Sequence, residues 1–186
     1  MSGRFTDMAK RAFSFLEDKG FRLVHSESGT LRYESSQVFV AVEWDARSGE
    51  LNVYLGLQPK KGQRAEAFSL NDLLGMEQAG NPDGNMPFQV ADESRLEPFL
   101  EELATNLRAH AAPALHGDRM FFRRLETFRS AQSEAYMREM ELRHVRSEAE
   151  KAWRERNFRE VARLYTTIEQ DLSESEKGKL AYARQH

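Results

Sequence analysis

The sequence predicts an α+β fold: an antiparallel sheet of about four or five strands with helices on one face, then a helical C-terminal region containing a long helix. Three observations carry this. Val38, Val40, Val42 and Trp44 fall on one side of a first alternating run, and Leu51, Val53, Leu55 and Leu57 on one side of a second. Alternation of this kind marks a half-buried strand, because successive side chains leave opposite faces of the pleat. Between the runs, Asp45-Ala46-Arg47-Ser48-Gly49-Glu50 has the polar and glycine content of a chain reversal. Beyond Gly117 the apolar residues recur at three- and four-residue steps, which is a helical period.

Taken in order, Phe5, Met8, Ala9, Ala12, Phe13, Phe15 and Leu16 predict a helix over about 4–19, with Gly20 at its end. Phe21 to His25 alternates and reads as a strand, and Ser26 to Gly29 turns the chain into a strand at Thr30 to Glu34. After the central hairpin, Pro59 to Arg64 is a basic loop. Ser69 caps a short helix through Leu70, Leu73 and Leu74, with Asp72 in its first turn. Gly80 to Asn85 is the most loop-like segment, and Phe88 to Val90 adds a short edge strand. Ser94 and Glu97 have capping-box spacing ahead of a stripe of Leu96, Phe99, Leu100, Leu103, Ala104 and Leu107, so a helix covers about 95–110.

Asp118 then caps a long tract from Phe121 to Trp153, read as one projecting helix or as two broken near Ser133. Phe158, Val161, Leu164, Tyr165, Ile168 and Leu172 carry the next helix, and Ser173 with Glu176 opens the last. Residues 1–118 hold 12 Lys/Arg against 18 Asp/Glu, whereas 119–186 hold 15 against 12. This asymmetry supports an α+β domain over 1–115 and a helical region over 116–186. An acidic first half argues against general nucleic-acid binding by that half, since phosphate repels it.

The chain has no cysteine. That excludes disulfides, thiolate metal sites and cysteine nucleophiles, and suits a reducing compartment. The first 21 residues contain no uninterrupted apolar core, and no stretch approaches the roughly 18 apolar residues of a membrane span. The expectation is a soluble, cytoplasmic protein that does not enter a membrane.

Residues 149–183 resemble a tetratricopeptide-type helical hairpin, through Ala152-Trp153, the Asn157-Phe158 turn, the small Ala162, and Tyr165 ahead of a further helix. Asn157 stands where that family's turn carries glycine. The resemblance implies a protein-interaction scaffold, and a single hairpin must pack on the long helix to cover both faces. The first hundred residues are similar in layout to small uncharacterised bacterial proteins, some of them immunity proteins of toxin systems. A Phe-rich helix, Gly20-Phe21, Tyr33-Glu34-Ser35, the segment Val38 to Leu51 and Phe68 to Leu74 carry that likeness. It implies a basic protein partner held by electrostatic complementarity.

Glu43 and Asp45 share strand parity, with Glu34 nearby, so they are candidates for a general acid/base pair or a Mg²⁺ site. A solvated sheet face is the stronger reading, because no histidine or third carboxylate is fixed beside them. The five histidines, His25, His110, His116, His144 and His186, have no ligand spacing. No GxSxG, GxGxxG or Walker motif occurs, so neither a metal nor a cofactor is expected. Arg119, Arg123, Arg124, Arg129, Arg138, Arg143 and Arg146 could form a basic stripe, but Glu126, Glu134, Glu139, Glu141 and Glu148 interleave with them. Tyr54, with Phe39, is a candidate exposed aromatic anchor on the hairpin, or lies under the first helix if that helix covers this face.

The expected function is therefore protein binding, adaptor- or immunity-like, by surface occlusion without catalysis. Its docking surface would include Glu34, Glu43, Asp45 and Tyr54. The alternatives are a metal-dependent hydrolase centred on Glu43 and Asp45, or RNA binding along the long helix. That helix is also a candidate for homodimer formation.

Overall fold

The computed structural model describes residues 3–27, 29–60, 62, 64–77 and 88–186. The chain is α+β and divides into two compact units, Met1–Arg129 and Ser130–His186. The division falls inside the long helix and not at the expected 115/116. Phe121, Phe122 and Leu125 explain the shift, since all three are buried in the core of the first unit. The Gly80 to Asn85 loop lies outside the described residues.

In the first unit, α1 (Gly3–Ala12) and α2 (Phe15–Asp18) replace the single helix expected over 4–19. The chain kinks at Phe13-Ser14, which lets Phe13, Phe15 and Leu16 all turn inward. Strands β1 (Arg22–Glu27), β2 (Thr30–Glu34), β3 (Val38–Trp44) and β4 (Glu50–Leu57) form an antiparallel meander in that spatial order. Two-residue strands complete the sheet: β5 (Phe68–Ser69) and β6 (Phe88–Gln89) pair with opposite ends of β4. Helices α3 (Leu70–Glu77), α4 (Leu96–His110) and α5 (Ala112–Leu115) follow, and then α6 (Arg119–Arg154).

One face of the sheet carries Leu31, Tyr33, Val38, Val40, Val42, Leu51, Val53 and Leu55. These share a core with Phe5, Ala9 and Leu16 and with the Leu100–Leu103–Leu107 stripe of α4. Alternation in the sequence is thus the cause of one-sided packing: the helices lie where the apolar parity points. Trp44 closes one end of this core, stacking on Phe5 at 5.9 Å and donating its indole N–H to Val90 O at 3.0 Å.

The helix termini follow the expected chemistry with one change. Ser69 Oγ accepts the Asp72 N–H at 3.0 Å, and the Asp72 carboxylate accepts the Ser69 N–H at 2.8 Å, so the two residues cap α3 reciprocally. Asp118 accepts the N–H groups of Met120 and Phe121 at the start of α6. Ser94 does not cap α4. Asp92 instead accepts the Ser94 N–H at 2.9 Å and opens a 3₁₀ turn, Glu93–Arg95, which leads into that helix.

Strand β1 departs from simple alternation. Leu23 pairs with Tyr33 but His25 pairs with Arg32, so Val24 is an extra residue in a bulge. Without it, His25 and Glu27 would join Leu23 on the core face. With it they turn outward, Val24 becomes 54% exposed, and Ser26 faces the core opposite Leu31. Ser26 Oγ is the one buried side-chain polar atom among the described residues that has no hydrogen-bond partner. Ser26→Ala removes that unpaired hydroxyl and should raise stability by about 1 kcal/mol in urea denaturation.

The second unit has its own core. Val145, Ala149 and Ala152 of α6 meet Val161 and Tyr165 of α7 (Phe158–Thr167) and Leu180 and Ala183 of α8 (Glu174–Ala183), with Ile168 and Leu172 between. α6 runs unbroken, without the interruption considered near Ser133. The left-handed residue of the α6–α7 turn is Arg156, with φ of 58°, and not Asn157. Asn157 caps α7, its side-chain oxygen accepting the Glu160 N–H at 3.2 Å. Ser173 and Glu176 form the full capping box of α8. Trp153, Phe158 and Tyr182 meet edge to face, and His186 stacks on Tyr182 at 4.1 Å.

Candidate functional site

With the helices on one side of the sheet, its other face defines the candidate surface. Strand parity and register put Thr30, Arg32 and Glu34 of β2, Phe39, Ala41 and Glu43 of β3, and Glu50, Asn52, Tyr54 and Gly56 of β4 on that face. Glu34, Glu43 and Tyr54, three of the residues expected there, do share it. They do not converge: Glu34 sits beside Phe39 and Glu43 beside Thr30, four positions apart along β3. At the rise of an extended strand this is roughly 13 Å.

The face has two chemically distinct parts. In one, Glu34 accepts from Arg32 Nε at 2.7 Å, and the Arg32 guanidinium covers the Phe39 ring at 4.1 Å. Phe39 was a candidate exposed anchor, yet it is only 2% exposed. Its ring fills the space over Gly56, its cross-strand neighbour, where a Cβ would lie 2.7 Å from the ring. In the middle of the face, Tyr54 pairs with Ala41 and Ser69, in the same cross-strand row as Arg32, and is half-buried. Burial raises its phenol above the ordinary value, and the carboxylates of Glu43, Glu50 and Asp72 raise it further. Register agrees with this neighbourhood: Glu43 is one row from Tyr54, and Asp72 bonds the backbone of Ser69, which pairs with Tyr54. Glu50 and Asp72 were not singled out from the sequence as members of it. Glu50 shares Tyr54's parity, a signal available in the sequence, whereas Asp72 arrives only through the pairing of β5 with β4.

Asp45 lies past the end of β3, in the hairpin turn, and its carboxylate accepts the Arg47 N–H at 2.8 Å. That backbone hydrogen bond, aided by Ser48 and by the Arg47 charge, holds its carboxyl below the usual carboxylate range. Its carboxylate is engaged in shaping the turn. No three His, Cys, Asp or Glu side chains among the described residues are grouped to hold a metal ion.

The basic stripe is also dispersed. Arg129 pairs with Glu66, Arg138 with Glu141 and Asp171, Arg143 with Glu139, and Arg146 with Glu176. Only Arg119, Arg123 and Arg124 of the seven lack an ion-pair partner among the described residues. Within the second unit, residues 130–141 of α6 are exposed on every side, including Tyr136, Met137 and Met140. No helix among the described residues is long and apolar enough to cross a membrane.

No family model, curated protein or solved structure matches this chain.

Proposed function

We propose that this chain is a non-catalytic protein-binding module that occludes a basic partner with the open face of its sheet. The observation that carries this reading is the placement around Tyr54: Glu43 lies one row away on β3, Glu50 lies on the same side of β4, and Asp72 bonds the backbone of Ser69, the residue paired with Tyr54. An aromatic ring with carboxylates on its flanks suits a lysine- or arginine-bearing segment: the ring offers area and a cation–π face, and the carboxylates offer charge. Complementary charge also speeds encounter and rejects acidic competitors. The immunity-like layout of the first hundred residues agrees with such a partner, as does a cytoplasmic setting. The hairpin of α7 and α8, similar to a tetratricopeptide unit, is consistent with a second interaction surface. RNA binding along α6 is the weaker reading, because ion pairing absorbs most of the charge it needs.

The test is a screen of the full chain against a random peptide library, followed by NMR titration of the best binder. The expected binders are rich in Lys and Arg and shift the amides of residues 43, 50–54 and 69–72. Glu43→Lys and Tyr54→Ala should each weaken them by about tenfold or more, near 1.4 kcal/mol. Binders without basic residues, or shifts confined to another surface, would refute the proposal.

A further inference from the structure

A second site lies elsewhere on the first unit, and nothing in the reading above uses it. The connection from β4 to β5 and the first turns of α6 enclose a cleft of about 460 Å³. That volume is within the range of small-ligand sites. Lys60 and Arg64 come from the connection, and Arg119 and Arg123 from α6. The two arginines are four residues apart and therefore share one helix face. Leu57, Phe68 and Phe122 supply apolar lining, with the two rings 6.1 Å apart.

The charge of this cleft is not balanced from within. None of the four cations makes an ion pair among the described residues, whereas most arginines further along α6 do. Of the two carboxylates in the lining, Glu66 is held by Arg129, whose guanidinium also stacks on Phe68 at 4.3 Å. Glu126 alone is left to oppose four positive side chains. Cations gathered about one concavity repel each other unless an anion shares it. Guanidinium groups match phosphate oxygens in a two-pronged geometry, and a di- or trianion would neutralise the surplus that a single carboxylate would not.

We propose that this cleft binds a small phosphate-bearing molecule with an apolar or planar body, the phosphate on Arg64, Arg119 and Arg123 and the body against Leu57 and the edges of the buried Phe68 and Phe122 rings that reach the cleft. A small ligand suits it better than a nucleic-acid strand. Residues 1–118 carry an excess of six acidic groups, so a long polyanion leaving the cleft would meet a repelling surface.

Calorimetry of the full chain at fixed ionic strength tests this with four probes: inorganic pyrophosphate, ADP, adenosine and a single-stranded oligonucleotide. Pyrophosphate and ADP should bind saturably at one site, ADP about tenfold more tightly, and adenosine should not bind. Arg64→Gln and Arg123→Gln should each weaken ADP by about tenfold or more, while Arg143→Gln, in the second unit, leaves it unchanged. Arg64 and Arg123 are exposed, so both variants should keep the wild-type circular dichroism spectrum. Four results overturn the proposal: no saturable phosphate binding at millimolar concentration, wild-type affinity for ADP in both variants, adenosine binding as well as ADP, or an oligonucleotide that ADP does not displace.

Discussion

Gly56→Ala should destabilise the first unit by about 3 kcal/mol and leave the second unit's unfolding where it is. A Cβ at this position would lie 2.1 Å from the backbone oxygen of Glu66 and 2.7 Å from the Phe39 ring. Neither obstacle is a freely moving chain end. Glu66 O belongs to the connection that enters β5, and Phe39 is sealed beneath Arg32. Relief requires the connection to lift from β4, which breaks the short β4–β5 pairing and opens the wall of the basic cleft. The substitution is therefore expected to weaken phosphate probes as well as the fold. The two tryptophans make the measurement selective, because Trp44 lies in the first unit and Trp153 in the second. Variants with a single tryptophan should report two transitions in denaturant, and only the Trp44 transition should move.

Both units should lose stability in alkali, each mainly through one tyrosine. Tyr33 and Tyr165 are fully buried, and burial is the main reason their phenols are pushed up to about 12. Glu17 adds to the effect at Tyr33, and Glu150, which accepts the Tyr165 hydroxyl at 3.3 Å, adds to it at Tyr165. In the unfolded chain a phenol releases its proton near pH 10. Between pH 10 and 12 the folded protein thus binds more protons than the unfolded one, and stability must fall as pH rises. The contribution is fully present below pH 10 and is gone above 12, with a loss on the order of 2 kcal/mol per tyrosine. Denaturation at pH 9 and pH 11.5 should show both transitions shifting. Tyr33→Phe should remove most of the shift of the first, leaving the smaller part due to the raised phenol of Tyr54, and Tyr165→Phe should remove that of the second. A pH-independent transition in either unit would contradict this account.

The regular parts of this fold were legible because period and parity are local properties. Val38 to Trp44 and Leu51 to Leu57 announced the hairpin and its buried face, and the stripe of α4 announced its helix. What escaped were features decided by one residue or by distant partners. The Val24 bulge reverses the parity of half of β1, and no pattern within Phe21 to His25 signals it. Phe39 looked exposed because its parity is that of the solvent face, and only the glycine opposite and Arg32 above explain its burial. Asp45 looked like a partner of Glu43 by spacing, but a turn aspartate has a backbone N–H within reach and uses it. The basic cleft joins two segments separately recognised as a basic loop and an arginine-rich helix, and nothing local indicates that they meet.

The margins of the sheet carry a consequence of their own. An unpaired strand edge is a template on which another chain can add, and long flat edges seed aggregates. Here the β1 margin is interrupted by its bulge and turns Arg22, His25 and Glu27 away from the core. Beyond β4 the sheet ends in β5 and β6, each only two residues long. Among the described residues, neither margin offers a continuous ladder of free amides and carbonyls. The irregularities that defeat simple alternation should thus disfavour the addition of strands from neighbouring molecules.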